Sequence, residues 1–325
     1  MNKTKIRIAI CLVAILSLFT FQTGYSRSNR SSSKQTNIKL SHATKTIPLE
    51  KLLPKTDAVT GKFKNQISEY ILNDYTYGTL AGQYGKIDTA TKYLQKVLKK
   101  EPKFIDALHN LGLAYYKQGR INEAIDTWRK TLSLAPNYAE TYYNLAIFML
   151  SVNRNQDGET LLNYCIKYEP FHLKARYALG KLAQTAGKNK EALLHFKAYE
   201  SKDKGDFNVL MALGELYLLE GQDDASLKAF ESASRAEPNS GQAQYQLGIA
   251  YHKRGLLDQA LLNYKRASEL LPNIADPYIN MGDIYGSKGE YASALTCYNT
   301  ALSIDPTNAY ASRRAKQAET KLLEK

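Results

Sequence analysis

Prolines stand at Pro102, Pro136, Pro170, Pro238, Pro272 and Pro306, and the gaps between them are 34, 34, 68, 34 and 34 residues. One proline is missing from the series, where Lys204 stands. A period of this size constrains the chain more than any residue count does. A unit this short cannot bury an apolar face alone and stays folded only when stacked on its neighbours. With proline as the thirty-second residue, seven units follow one another without a gap: 71–104, 105–138, 139–172, 173–206, 207–240, 241–274 and 275–308.

Other positions keep the same phase. Position 8 holds Gly78, Gly112, Ala146, Gly180, Gly214, Gly248 and Gly282, small residues that let two helices approach closely. Position 15 holds Gly in six units and Asn153 in the third. Both types tolerate positive φ and so end a helix and turn the chain. Position 20 is again small, and position 24 carries Trp128, Phe196, Phe230, Tyr264 and Tyr298. Between these markers apolar residues step by three and four, as in Leu108, Leu111 and Tyr115 and then Ile125, Trp128 and Leu132. The spacing predicts two helices joined by a turn in every unit.

These positions resemble the tetratricopeptide-repeat (TPR) family over residues 71–308. The resemblance implies an all-α fold, a right-handed α-solenoid of stacked helix–turn–helix units, within a repeat domain spanning 66–308. The polar tail at 309–325, AYASRRAKQAETKLLEK, reads as a capping helix, since such arrays need a polar end. The third and fourth units depart most from the pattern. The fourth ends ESKDKGD (200–206), lacks proline and places Tyr199 at a normally small site, so an irregularity is expected there.

The resemblance also says where function would lie. In TPR proteins the first helix of each unit lines a concave groove, chiefly through positions 2, 5, 6, 9, 12 and 13. Carried over, position 6 includes Asn110, Asn144, Gln246 and Asn280, with breaks at Ala178 and Ala212. Position 5 includes His109, Tyr143, Tyr177 and Tyr245. An Asn amide offers both donor and acceptor to a peptide backbone. Tyrosine adds a flat apolar face with a polar tip. The expected function is non-catalytic binding of a protein or peptide in this groove. The alternative is an assembly scaffold of the cell envelope, acting through convex or edge surfaces or by self-association. The paired Lys, Arg and Asn by which other TPR grooves clamp a chaperone carboxylate do not appear, because Glu140 and Glu215 stand in the rows of Lys174 and Lys181.

Enzyme readings find no support. The chain has no G-x-x-x-x-G-K-[ST], H-E-x-x-H, C-x-x-C or G-x-S-x-G motif. No catalytic residue, metal site or cofactor is therefore expected. His109 and His252 are separated by about four units, too far for one metal site. Cys165 and Cys297 lie 132 residues apart, too far for a disulfide in an array where each unit touches only its neighbours.

Net charge is +13, yet its distribution argues against nucleic acid as a partner. Residues 1–67 hold 12 of the 44 Lys and Arg but 2 of the 31 acids, leaving a nearly neutral body. A nucleic-acid binder concentrates its bases on the folded face that meets phosphate.

The N-terminus begins with Lys3, Lys5 and Arg7, followed by a 14-residue apolar run at 8–21. That pattern fits a signal peptide over 1–26 and is short for a bilayer span. Arg27, Arg30, Lys34 and Lys39 follow closely, and positive charge there resists translocation. A cleaved signal and an uncleaved membrane tether through 8–21, with the body on either side, both remain open. The expected location is secreted, periplasmic or in the cell envelope. Residues 27–65 read as a basic linker, interrupted by the apolar cluster IPLEKLLP at 47–54.

Overall fold

A computed structural model describes residues 69–324, with the side chain of Glu69 left out. The expected signal or anchor (1–26), the linker and the 47–54 cluster lie outside the described residues. Among the described residues there are fifteen α-helices and no strand. They form an all-α solenoid of helix–turn–helix repeats, divided along the chain into two compact units, one ending at Pro170 and the other beginning at Phe171.

In the first unit, α1 (Glu69–Gln83) pairs with α2 (Ile87–Lys100), α3 (Ile105–Lys117) with α4 (Ile121–Leu134), and α5 (Ala139–Ser151) with α6 (Asn155–Tyr168). In the second, α7 (Leu173–Thr185) pairs with α8 (Asn189–Glu200), and α9 (Phe207–Leu219) with α10 (Asp223–Ala236). It continues with α11 (Gly241–Lys253) and α12 (Leu257–Leu270), then α13 (Asp276–Ser287) and α14 (Tyr291–Ile304). It ends on a lone helix, α15 (Ala309–Leu323).

The turn inside each pair has one physical cause. Gly85, Gly119, Gly187, Gly221, Gly255 and Gly289 take φ between 70° and 76°, and Asn153 takes 62°. The next residue then donates back five positions, as Lys86 N does to Ala81 O at 2.8 Å and Arg154 N to Met149 O at 2.9 Å. This closes the carbonyls left open at a helix end.

Close packing within pairs explains the small residue at position 8. A Cβ on Gly112 would sit 2.5 Å from Trp128 Cδ1, and one on Gly214 would sit 2.5 Å from Phe230 Cε1. In the third repeat the aromatic is replaced by Leu162, and Ala146 fits. Both are fully buried.

The departure at 200–206 has a structural form. α8 runs 12 residues, whereas every other second helix runs 14. Without proline, the connection is held by side chains. The Tyr199 hydroxyl donates to Asp206 Oδ2 at 2.9 Å, Asp206 Oδ1 accepts from Val209 N at 3.0 Å, and Asp203 Oδ1 accepts from Gly205 N at 3.1 Å. Asp206 is thereby the N-cap of α9.

Candidate functional site

The three asparagines at position 6 share one arrangement. Asn110 Nδ2 donates to the Tyr75 hydroxyl at 3.0 Å, and Asn280 Nδ2 donates to the Tyr245 hydroxyl at 3.1 Å. Asn144 Nδ2 meets His109 Nε2 at 3.3 Å. In each case the partner lies 35 residues earlier, at position 5 of the preceding repeat. The first helices of adjacent repeats are therefore joined by side chains as well as by packing. All three asparagines are half-buried, and among the described residues no hydrogen bond takes their Oδ1 atoms.

His109 is enclosed on both ring nitrogens. An amide nitrogen can only donate, so Nε2 accepts from Asn144, and the proton sits on Nδ1, which faces Thr141 Oγ1 at 2.8 Å. Burial lowers its pKa to about 4, outweighing the opposing pull of Glu140 and Asp106, so the ring is neutral at physiological pH. Thr141 occupies position 3, where Ala107, Ala175, Val209 and Ala243 are apolar. That polar exception in a core register was the signal for this contact.

The other predicted groove residues divide by burial. Tyr245 and Gln246 are half-buried on α11. Tyr177 is half-buried on α7, its ring edge-on to Phe196 and Tyr199. Tyr143 and His109 are instead 8% and 7% exposed. α5 carries apolar residues around most of its circumference and is buried almost throughout.

Where the asparagine series breaks, at the buried Ala178 and Ala212, the polar groups move to positions 9 and 12. Lys181 Nζ donates to Gln184 Oε1 at 2.8 Å, and Gln184 Nε2 reaches Glu215 Oε2 at 3.5 Å. Burial pushes the Glu215 carboxyl up, against the lowering pull of Lys181.

Among the described residues no cluster of His, Cys, Asp and Glu could hold a metal ion, and both cysteines are free thiols. Burial raises Cys165 to about 12, which removes thiolate reactivity. No described helix is long and apolar enough to cross a membrane.

At the C-terminal end Asp283 gathers α14 and α15. Its carboxylate accepts from the hydroxyls of Tyr298 at 2.7 Å and Tyr310 at 2.9 Å and from Arg314 Nε at 3.0 Å. Sequence reading missed this site because Asp283 is an ordinary groove position in the repeat pattern.

Comparison with known proteins agrees with this architecture. The tetratricopeptide repeat profile matches residues 105–138 and 275–308, and a related TPR repeat profile matches 83–119 and 250–289. Among solved structures, the chain is similar to YrrB, described as a TPR protein with an unusual peptide-binding site. Identity is 23%, with 58% of this chain and 97% of that one covered and a TM-score of 0.55. It is similar also to the C-terminal part of a TPR repeat-containing protein from Cytophaga hutchinsonii. There identity is 14%, with 74% and 98% covered and a TM-score of 0.55. No curated protein matches the chain in sequence. With seven in-phase helix pairs and tetratricopeptide repeat profile matches that coincide with the second and seventh of them, the chain is a tetratricopeptide-repeat protein, a member of a family of protein-interaction modules.

Proposed function

We propose that the first-helix face of the repeats binds an extended segment of a protein partner, without catalysing a reaction. The observation that carries this reading is the shared orientation of Asn110, Asn144 and Asn280. Each amide spends its N–H on the preceding repeat and keeps its oxygen out of that bond. An acceptor held in place this way suits a backbone N–H, and less side-chain freedom remains to be lost on binding. In the second unit Tyr245, bonded to Asn280, and its neighbour Gln246 supply flat and polar surface, as Tyr177 does on α7. Each such bond at about 1 kcal/mol corresponds to roughly fivefold in affinity. In this reading the module works in the cell envelope or outside the cell, carried there by residues 1–26.

The test is selection of binding peptides on the full chain, repeated on the Asn110→Ala, Asn144→Ala, Asn280→Ala variant. A second variant, Tyr75→Phe with Tyr245→Phe, removes the acceptors of two of the three stitches, those of Asn110 and Asn280, but keeps the amide oxygens. Peptides weakened by the first variant, roughly fivefold for each amide engaged, and much less by the second support groove capture. Equal loss in both would trace the effect to repeat stacking, and no loss in either would remove the groove from the reading.

A second reading, an assembly scaffold, has its own observation. Leu194 and Leu262 share position 22 on second helices and are 63% and 69% exposed, away from the first-helix face. Loss of a partner on Leu194→Glu and Leu262→Glu, with peptide binding intact, would favour it.

A further inference from the structure

The first helix, α1, leaves open a face that the equivalent first helices bury. In the second, third, fifth, sixth and seventh repeats, the first helix packs on the second helix of the repeat before it. The contact runs through positions 3, 7 and 10. Val209, Leu213 and Leu216 share a buried cluster with Phe196 and Tyr199, Ala243, Leu247 and Ala250 share one with Phe230 and Ala233, and Met281 and Ile284 share one with Tyr264. Position 7 is at most 8% exposed in every repeat after the first. On α1 the same positions are Asn73, Tyr77 and Leu80. Tyr77 is 55% exposed and Leu80 is 44% exposed. Tyr70 and Tyr84 extend the row, at 53% and 79%. Spacings of 3, 4 and 3 from Tyr70 to Leu80 put four of them on one side of the helix, and Tyr84 follows in the turn just after it. Lys96 and Lys100 reach the Tyr70 ring, and Tyr77 leans on Tyr93, so these contacts flank the row without covering it.

We infer that this face is the docking site for residues 47–54 of the same chain, Ile-Pro-Leu-Glu-Lys-Leu-Leu-Pro, which lie outside the described residues. In phase with the later repeats, a covering helix would occupy 53–66. That stretch contains Gly61, Lys55, Lys62 and Lys64, and its apolar side chains are too sparse to form a stripe. The apolar density lies just before it. Leu49, Leu52 and Leu53 stand at i, i+3 and i+4, so one helical turn puts all three on one side. Pro48 suits the start of such a turn and Pro54 its end.

Reach and affinity both favour this occupant. The 14 residues between Pro54 and Glu69 span at most about 50 Å. α1, at 15 residues, is about 22 Å long. A short tether gives an effective concentration on the order of 1 mM, so a contact with an intrinsic Kd near 1 mM is already half occupied. A second copy has no such advantage. One row of five side chains is a fraction of the about 800 Å² per partner that a stable dimer buries.

The experiment places a photo-crosslinker on the face, Tyr77→p-benzoyl-phenylalanine, in the full chain. After irradiation and proteolysis, mass spectrometry should find the adduct on a peptide containing Leu49, Leu52 or Leu53, at the mass of one chain. Leu49→Asp, Leu52→Asp and Leu53→Asp together should abolish that adduct and speed hydrogen exchange of the α1 amides about twofold, the protection that half occupancy gives. Crosslinked dimers, adducts elsewhere in the chain, or no adduct at all would overturn the assignment. So would α1 exchange that is indifferent to the three aspartates.

Discussion

Asn280 donates its amide N–H to the Tyr245 hydroxyl across 3.1 Å, joining the first helices of two successive repeats. The bond is half-buried at both ends. Its two partners lie 35 residues apart, one period plus one. Asn280→Ala and Tyr245→Phe should each lower stability by about 1 kcal/mol. Their double variant should lose about as much as either alone, because both delete one bond. A double-mutant cycle on urea midpoints measures this. Full additivity would mean that the stitch contributes nothing of its own.

Gly112 faces the Trp128 indole with no room for a methyl group. Gly112→Ala should therefore cost about 1–3 kcal/mol through overpacking. Gly82, also helical, would place its Cβ in ordinary contact with Ala90 at 3.5 Å. Gly82→Ala should instead stabilise by about 0.5–1 kcal/mol, from helix propensity and a less free unfolded chain. Opposite shifts in melting temperature for these two glycine-to-alanine changes are the expected result.

His109 predicts a dependence on pH. Its folded pKa, about 4, lies below the 6.5 of the free side chain, so the unfolded chain binds the extra proton first. Stability from this site is complete above about pH 6.5 and falls as pH drops towards 4, by on the order of 3 kcal/mol in all. Thermal unfolding between pH 7 and pH 4.5 should show a steeper loss in the native chain than in His109→Gln, which has no proton to gain.

Asn153 is the non-glycine residue holding positive φ among the described residues. Asn153→Gly should be neutral or slightly stabilising, since glycine fills this turn in the other six repeats. Asn153→Ala should cost roughly 1–2 kcal/mol, because the left-handed conformation crowds a Cβ. Chemical denaturation of the two variants separates them.

Much of this fold could be read in the sequence because proline and glycine punctuate the chain wherever the backbone demands them. Pro102 and its successors set the phase, and Gly85 and its successors set the turn. The absence of proline at Lys204 pointed to the place where α8 is two residues short. The groove was less legible. His109 and Tyr143 share a register with Tyr245, yet they are buried while Tyr245 is half-buried. Burial depends on what lies over a helix, which the helix's own spacing does not encode. The direction of the Asn110 and Asn280 amides was hidden for a related reason. The acceptor is one repeat away, and composition within a single repeat does not reveal it.

The 35-residue stitch gives the array a direction in time as well as in space. Each acceptor, Tyr75, His109 or Tyr245, is synthesised before its asparagine. A ribosome adding about 5–20 residues per second delivers the donor roughly 2–7 s later. The first, second and sixth repeats thus wait for the next one before Tyr75, His109 and Tyr245 meet their asparagines. A chain cut short between the two leaves its last acceptor without its amide, so a truncated product differs from a finished one at its growing edge even when every completed helix pair is sound.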